Sequence, residues 1–594
     1  MTGDPATDDD SLASFFPGVG ATADADARLD ALVRPTGWRN PQPANRYHLV
    51  VIGAGTAGLV AAAGAASLGA RVALIERSRM GGDCLNHGCV PSKALLASAK
   101  AAALLRNAAA SPLESTVKTS QERATEKRAE RDAERNAERR AQTPAEDSPE
   151  SVFFPSPGAA DSFEPFSDFP AVMRRMRELR SRLAANDSAT RFLGLGVDVF
   201  FGAARFADRE TICVGESRLR FRRALIATGA RAAMPAIPGL SDAEPLTNES
   251  LFDLRQLPRR FAVIGAGPIG CEMAQAFARF GASVLLVESG PGVLPREDRD
   301  AASVVERSLQ RDGVKFRLSA TGLRVDRADG ASVSSASASS ASANRGGWTI
   351  RGRGPDGAWE STVDRILVAT GRRPNIEDLN LDAAGIASGP YGVSIDDFLR
   401  TSNRRVYAAG DVCSSYRFTH AADFMARAAL RNALFFGRTR LSSLVIPWCT
   451  YTDPEVARVG LSEREAEEAN VAIDTLVQPL ADVDRAVLEA PPFLHDAADR
   501  LFTSDGPDGF VKVLVRRGTD RIVGATLVAP HAGEMIGEVT VAMQYRLGLG
   551  KLGNTIHPYP TVADAIRKLG DQYQRRRLTP GVRAMFRQWF GWWR

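Results

Sequence analysis

One pattern of strand, turn, helix and strand occurs twice in this chain. YHLVVIGAGTAGLVAAAGAASLGARVALIE starts at Tyr47, and FAVIGAGPIGCEMAQAFARFGASVLLVE starts at Phe261. Each copy reads as an apolar strand, a glycine turn, a small-residue helix and a second strand that ends in an acid. The glycines are Gly53, Gly55 and Gly58 in the first copy and Gly265, Gly267 and Gly270 in the second. Glu76 and Glu288 each fall 18 residues after the third glycine. The repeat predicts an α/β chain with two Rossmann-like dinucleotide-binding domains.

The spacing has a chemical reason. The first glycine allows a tight turn, the second lets backbone approach a pyrophosphate, and the third lets helix and strand pack closely. The pyrophosphate then sits at a helix N-terminus, and the acid takes the ribose hydroxyls. Each block is followed much later by Ala-Thr-Gly at the end of an apolar strand: LIATGA (225–230, with Thr228 and Gly229) and LVATGRRPN (367–375, with Gly371). Two dinucleotide sites on one chain imply electron transfer between two cofactors. Glu288 would accept from a ribose 2′-hydroxyl and repel a 2′-phosphate, and no arginine follows it in VESGPG, so NADH is favoured over NADPH.

Composition narrows the rest. The 594 residues suit several domains, and a net charge of +5 asks for no nucleic acid. Six cysteines in this length make no disulfide framework. No apolar run reaches the roughly 18 residues of a membrane span. MTGDPATDDD has neither the basic start nor the apolar core of a signal peptide, so a cytoplasmic location is expected. In reducing surroundings a close cysteine pair is more readily redox-active or metal-binding than a structural bridge. Cys84 and Cys89, in GGDCLNHGCVPSKALL, lie at the mouth of a helix predicted from about Pro91. A helix N-terminus lowers a nearby thiol pKa. His87 between them does not complete a usual closed zinc set, so a redox-active disulfide is the reading preferred to metal ligands or inert thiols, and no metal site is assigned.

GGDCLNHGCVPSKALL after GAGTAG resembles the flavin-dependent pyridine nucleotide–disulfide oxidoreductases, over roughly 47–110 and 166–575. The resemblance implies that Gly53, Gly55, Gly58 and Glu76 bind FAD, and that Gly410 and Asp411 in VYAAGDV form its second motif. It implies that Gly265, Gly267, Gly270 and Glu288 hold the nicotinamide nucleotide. Cys84 would be the thiol that attacks substrate, and Cys89 the thiolate against the flavin. Lys93 and Glu272 match an ion pair beside the flavin. Read from the residues alone, the lesser alternatives are an exposed helix lysine for Lys93 and a helix-start acid for Glu272. IPWCTYTDPEVARVGLSE (446–463) is similar to the strand entering the family's interface domain. TIHPYPTVADAIRKL (555–569) is similar to the segment that reaches into a partner subunit, which implies a homodimer. Where lipoamide and glutathione reductases carry His and, five residues later, Glu, this chain has Tyr559 and Asp564, with His557 two residues earlier. Mercuric reductases also place tyrosine there. Against that branch, the chain shows no Cys-x-x-Cys and no cysteine after Cys449. Cys213, Cys271, Cys413 and Cys449 stand singly and read as core thiols.

These features divide the chain into an arm (1–45), an FAD-binding domain in two parts (46–246 and 377–443), an NAD(P)-binding domain (247–376), an α+β dimerisation domain (444–575) and a tail (576–594). A charged insertion at about 112–165 and a Ser/Ala-rich excursion at 331–343 interrupt it. In the tail, Val582, Met585, Phe586, Trp589, Phe590 and Trp593 fall on one helical face, with Arg583, Arg587 and Arg594 away from its centre. Such a face suits packing against the interface domain or the other subunit; peripheral membrane contact is the alternative. The function expected is FAD-dependent transfer from NADH to a disulfide or a thiophilic metal ion. A quinone reductase or diaphorase with secondary thiols, and a non-enzymatic redox sensor, are the alternatives.

Overall fold

The computed structural model describes residues 24–109, 168–328, 347–490 and 507–593. The charged insertion at about 112–165, the excursion at 331–343 and the first half of the arm lie outside the described residues.

Tyr47–Ile52, buried except for His48, is the middle of the first sheet. It pairs in parallel with Val72–Glu76 on one side and Ser217–Ile226 on the other, and Val197–Phe201 extends the first side. Near-continuous apolar runs are what a parallel sheet covered on both faces requires. The other end of the ten-residue Ser217–Ile226 strand turns antiparallel against Thr211–Val214 and Ala204–Asp208. The parallel part is completed by Val406–Ala408. That strand arrives after the whole second repeat, so the second unit is nested within the first.

The second sheet repeats the plan: Lys315–Arg317, Ser283–Val287, Arg260–Ile264 and Arg365–Val368, all parallel. An antiparallel trio, Thr321–Arg327, Trp348–Gly354 and Gly357–Val363, accompanies it. A third, five-stranded antiparallel sheet runs Pro447–Thr450, Glu455–Gly460, Ile522–Ala529, Phe510–Arg516 and Ile473–Pro479. The Ala532–Gln544 and Asp564–Arg577 helices bury Val539, Ile566 and Leu569 in the core with this sheet. The fold is α/β, two dinucleotide-binding units followed by an α+β unit.

Three elements differ from what the sequence predicts. The polar arm contains a helix, Ala25–Val33, because Leu29, Leu32 and Val33 form a buried face against the first unit. Its Asp26 meets the buried Arg180 at 2.9 Å and the buried Arg177 at 3.5 Å. The helix predicted from Pro91 begins at Cys89 and runs to Ala109. The tail forms a helix, Pro580–Gly591, with no buried residue, so its apolar face does not pack on the interface domain of its own chain.

Candidate active site

Both glycine turns open onto one cavity of about 2710 Å³, walled by both parallel units and the third sheet. Gly53 has φ +100°, and a side chain there would meet the Ala227 carbonyl oxygen at 2.4 Å; Gly265 repeats this at φ +105° with the Ala369 oxygen at 2.6 Å. At the third position a Cβ would strike the first glycine's own carbonyl oxygen, at 1.8 Å for Gly58 and 1.9 Å for Gly270. At the middle position the surroundings are open: nothing lies within 4 Å of a Cβ on Gly267, and only the Gly82 Cα, at 3.6 Å, near one on Gly55. The Thr56–Ser67 and Pro268–Arg279 helices therefore present uncovered N-termini to the cavity, the cradle a pyrophosphate needs.

The two acids are held alike. Glu76 accepts from the Ala54 N–H at 2.8 Å and the Ser78 N–H at 2.7 Å. Glu288 accepts from the Ala266 N–H at 2.7 Å and the Gly290 N–H at 2.8 Å. Each carboxylate is fixed at the end of its second strand, where a ribose hydroxyl would reach it. The residues of both turns thus fit two dinucleotides.

Thr228 and Asn375 tie the two Ala-Thr-Gly segments together. The Thr228 hydroxyl donates to the Asn375 carbonyl at 2.7 Å, and the Asn375 amide donates back at 2.9 Å. Gly229 and Gly371, at φ +68° and +125°, flank a short antiparallel crossing of Ala230–Ala232 with Arg372–Pro374. From that crossing Arg372 reaches Asp83 at 3.0 Å and Asp411, beside Gly410, at 3.7 Å. Burial pushes the Asp411 carboxyl up.

Cys84 lies in the short Gly82–Asn86 helix, and Cys89 opens the 21-residue Cys89–Ala109 helix. The Cys89 sulfur is 3.2 Å from the hydroxyl of Thr419, which opens the Thr419–Leu434 helix. Two helix N-termini therefore face one sulfur, a setting that favours its anion. The Cys89 thiol is pulled down to about 6, first by a hydrogen bond from Cys84, then by Thr419 and the Lys93 charge, against burial. Cys84, the donor in that bond and itself partly buried, is pushed up. The setting favours an anion on Cys89 over one on Cys84.

Lys93 follows one helical turn after Cys89. Its Nζ lies 2.9 Å from Glu272 Oε2 and 4.5 Å from the centre of the Tyr451 ring. Glu272 is buried and accepts at its other oxygen from the Tyr451 N–H at 2.9 Å. Lys93, Glu272 and Tyr451 all line the cavity, as do Cys413 and Cys449, whose thiols burial pushes up. Thr419 and Tyr451 were not singled out from the sequence. They come from elements more than 300 residues distant from Cys89, and no local pattern marks them.

The C-terminal candidates lie elsewhere. None of His557, Tyr559 and Asp564 lines the cavity of this chain. Tyr559 and Asp564 do not pair with each other. The Tyr559 hydroxyl donates to Asp484 at 2.7 Å, and Asp564 binds Arg567 at 2.6 Å. His557 instead meets Glu538 at 2.9 Å, an acid on the Ala532–Gln544 helix that sequence reading missed. Ile556 and Tyr559 flank that histidine, 96% and 73% exposed, so the segment is open for a second copy to cover. Among the described residues no group of three or more His, Cys, Asp or Glu is placed to hold a metal ion.

Residues 47–426 match the model of the pyridine nucleotide-disulphide oxidoreductases, and residues 446–569 match that family's dimerisation domain. A mercuric reductase of Staphylococcus aureus is 30% identical over 88% of this chain and 81% of its own length. One from Streptomyces lividans is 30% identical over 88% of this chain and 95% of its own. Among solved structures, the Cu(II) complex of HOCl-induced flavoprotein disulfide reductase RclA from Escherichia coli superposes with TM-score 0.66. It is 25% identical and covers 89% of this chain and 100% of that one. LpdA from Mycobacterium tuberculosis gives the same four figures: TM-score 0.66, 25%, 89% and 100%. The chain belongs to the pyridine nucleotide-disulphide oxidoreductase family. It is a flavin-dependent disulfide oxidoreductase that uses FAD and NAD(P)H.

Proposed function

We propose that this enzyme uses Cys84 and Cys89 as a redox dithiol, with NADH as donor and a disulfide or a thiophilic metal ion as acceptor. The observation that carries the reading is the placement of the pair: Cys89 opens one helix with its sulfur 3.2 Å from the hydroxyl that opens another, and Cys84 stands beside it on the same cavity wall. When bound, FAD supplies two-electron exchange between the nicotinamide and the thiols. The first turn and Glu76, with Gly410 and Asp411, would hold the flavin nucleotide; the second turn and Glu288 would hold NADH. Lys93, fixed by Glu272, sets positive charge beside the Cys89 sulfur and steadies its anion.

In the proposed oxidative half, a disulfide substrate takes two electrons from the dithiol. The Cys84 sulfur attacks, one substrate thiol leaves with a proton, and Cys89 closes the Cys84–Cys89 bond as the second leaves. A soft divalent ion such as Hg(II) would instead be held between the two sulfurs and take both electrons from them, leaving the same disulfide and releasing the one Cys84 proton, whereas two Cu(II) ions would take one electron each. Cys84 must lose its proton to attack. We assign that proton to the 555–564 segment of a second copy, with His557 on Glu538 and Tyr559 on Asp484 as the available groups. The active form is accordingly a homodimer, in keeping with the dimerisation domain. The mercuric reductase relatives and the Cu(II)-bound RclA structure support a metal acceptor.

An anaerobic acceptor panel of lipoamide, glutathione disulfide, Hg(II), Cu(II) and a quinone tests this. In Cys84→Ser, turnover with disulfide or metal is expected to fall at least ~100-fold while quinone reduction stays within about twofold. Undiminished disulfide and metal turnover in the variant would leave the quinone reductase reading in its place.

A further inference from the structure

We propose that the Pro580–Gly591 helix is a docking element for an anionic lipid surface. This goes beyond the redox reading and rests on different residues. The helix is well specified: the Thr579 side chain caps it by accepting from the Val582 N–H, and Pro580 occupies the first turn. Its apolar side chains have no cover. Met585, Phe586, Trp589 and Phe590 are 58%, 43%, 51% and 59% exposed, and Trp592 and Trp593 just beyond the helix are both 76% exposed. Single exposed apolar residues are ordinary, but a contiguous aromatic face calls for a partner.

The charge of the segment selects the partner. Residues 572–594 contain Arg575, Arg576, Arg577, Arg583, Arg587 and Arg594 and no aspartate or glutamate. On a helical projection at about 100° per residue, Val582, Phe586 and Trp589 form the middle of the apolar arc. Arg583 and Arg587 follow one another along a single flank, beside Phe590. Neither forms an ion pair among the described residues. Aromatic burial bordered by arginines is the composition of a helix lying in the headgroup region, where apolar transfer and attraction to acidic lipid act together. At about 1.5 Å per residue, 12 residues reach roughly 18 Å, short of a hydrocarbon core of about 30 Å. The helix is thus suited to lie along the surface. No described helix of the chain is long and apolar enough to cross a membrane. An antiparallel two-fold contact of this helix with itself would set the Arg583 and Arg587 flanks side by side, a like-charge contact that an acidic lipid surface does not make.

Flotation of the full-length holoenzyme tests the proposal, with vesicles of phosphatidylcholine alone or mixed with phosphatidylglycerol. The expected result is at least ~10-fold more protein floating with the acidic vesicles, lost in 1 M-range salt and lost in both Trp589→Ser/Trp593→Ser and Arg583→Gln/Arg587→Gln. Flavin content and NADH oxidation should be unchanged in both double variants, which shows that they fold. Cys84→Ser should float like the parent, which separates this inference from the redox one. Equal binding to both vesicle types, no binding to either, or full flotation of the tryptophan variant would overturn it. So would a change in sedimentation of that variant without any flotation, which would assign the face to a protein contact.

Discussion

Cys89 and Cys84 are shifted in opposite directions although they stand five positions apart: their mutual interaction favours the anion on Cys89, whose sulfur also meets the Thr419 hydroxyl and the Lys93 charge. The sign follows directly: the Cys89 anion is present above about pH 6 and lost below it. In the reduced protein, iodoacetamide labelling of Cys89 should rise through a midpoint near 6 instead of the ordinary value near 9. Cys84→Ala should move that midpoint up most, and Thr419→Val less, the order in which the two bonds act. A midpoint unmoved by Cys84→Ala would show that the sulfurs do not communicate. Glu288 makes a second prediction. Glu288→Gln should shrink the NADH over NADPH preference in kcat/KM roughly tenfold, about 1.4 kcal/mol, since the repulsion of a 2′-phosphate goes with the charge. The cysteines, the glycines and both acids were legible in the sequence because each set sits within 30 residues of chain at fixed spacing. Thr419, Tyr451, Glu538 and Asp484 were not. Each meets its partner only after the chain has folded, and a lone Thr or Glu on a helix carries no signature.

The Cys89–Ala109 helix takes its place from packing as much as from its own sequence. Leu95 and Ala99 enter the core of the second unit beside Phe277 of the Pro268–Arg279 helix, which also carries Glu272. That contact is why Lys93 and Glu272 meet across 179 positions. The Ala25–Val33 helix was hidden by its polar surroundings with scattered proline and glycine, yet it neutralises two arginines that are 3% exposed. Asp26→Ala leaves both without that carboxylate and should cost about 2 kcal/mol, below the about 3–5 kcal/mol of a fully buried broken pair because Asp26 itself is partly exposed. Chemical denaturation followed by circular dichroism reads this directly; a loss below about 0.5 kcal/mol would mean that the hydrogen bonds of Arg177 and Arg180 to backbone carbonyls suffice. Val406–Ala408 was equally hidden, since a three-residue strand shows no period. The tail helix was legible in full because its face repeats over three turns; what lies against that face was not, since a stripe of this kind is the same whether protein or lipid covers it.

The three units meet around a single cavity, and ion pairs lock the third onto the second. The fully buried Lys512 lies within 3.0 Å of Asp298, Asp300 and Glu463, and the buried Arg458 is 3.7 Å from Glu297. The 555–564 segment, to which we assign the proton handling, does not line the cavity of its own chain, so that assignment requires a second copy. Sedimentation velocity should therefore find a dimer at assay concentrations, and activity per chain should fall on dilution into monomer. His557→Ala and Tyr559→Phe should lower disulfide or metal turnover roughly tenfold or more without affecting flavin binding. A monomer active at every dilution would contradict the assignment. The central claim is that electrons from NADH reach the acceptor through Cys84 and Cys89, and mass mapping of the thiols tests it most directly. The FAD-loaded protein is quenched with iodoacetamide under anaerobic conditions, with and without NADH. Before NADH, Cys84 and Cys89 should escape labelling as a disulfide; after it, both should be labelled, while Cys213, Cys271, Cys413 and Cys449 label the same in the two samples. NADH oxidation that proceeds with acceptor while the labelling of Cys84 and Cys89 never changes would contradict it.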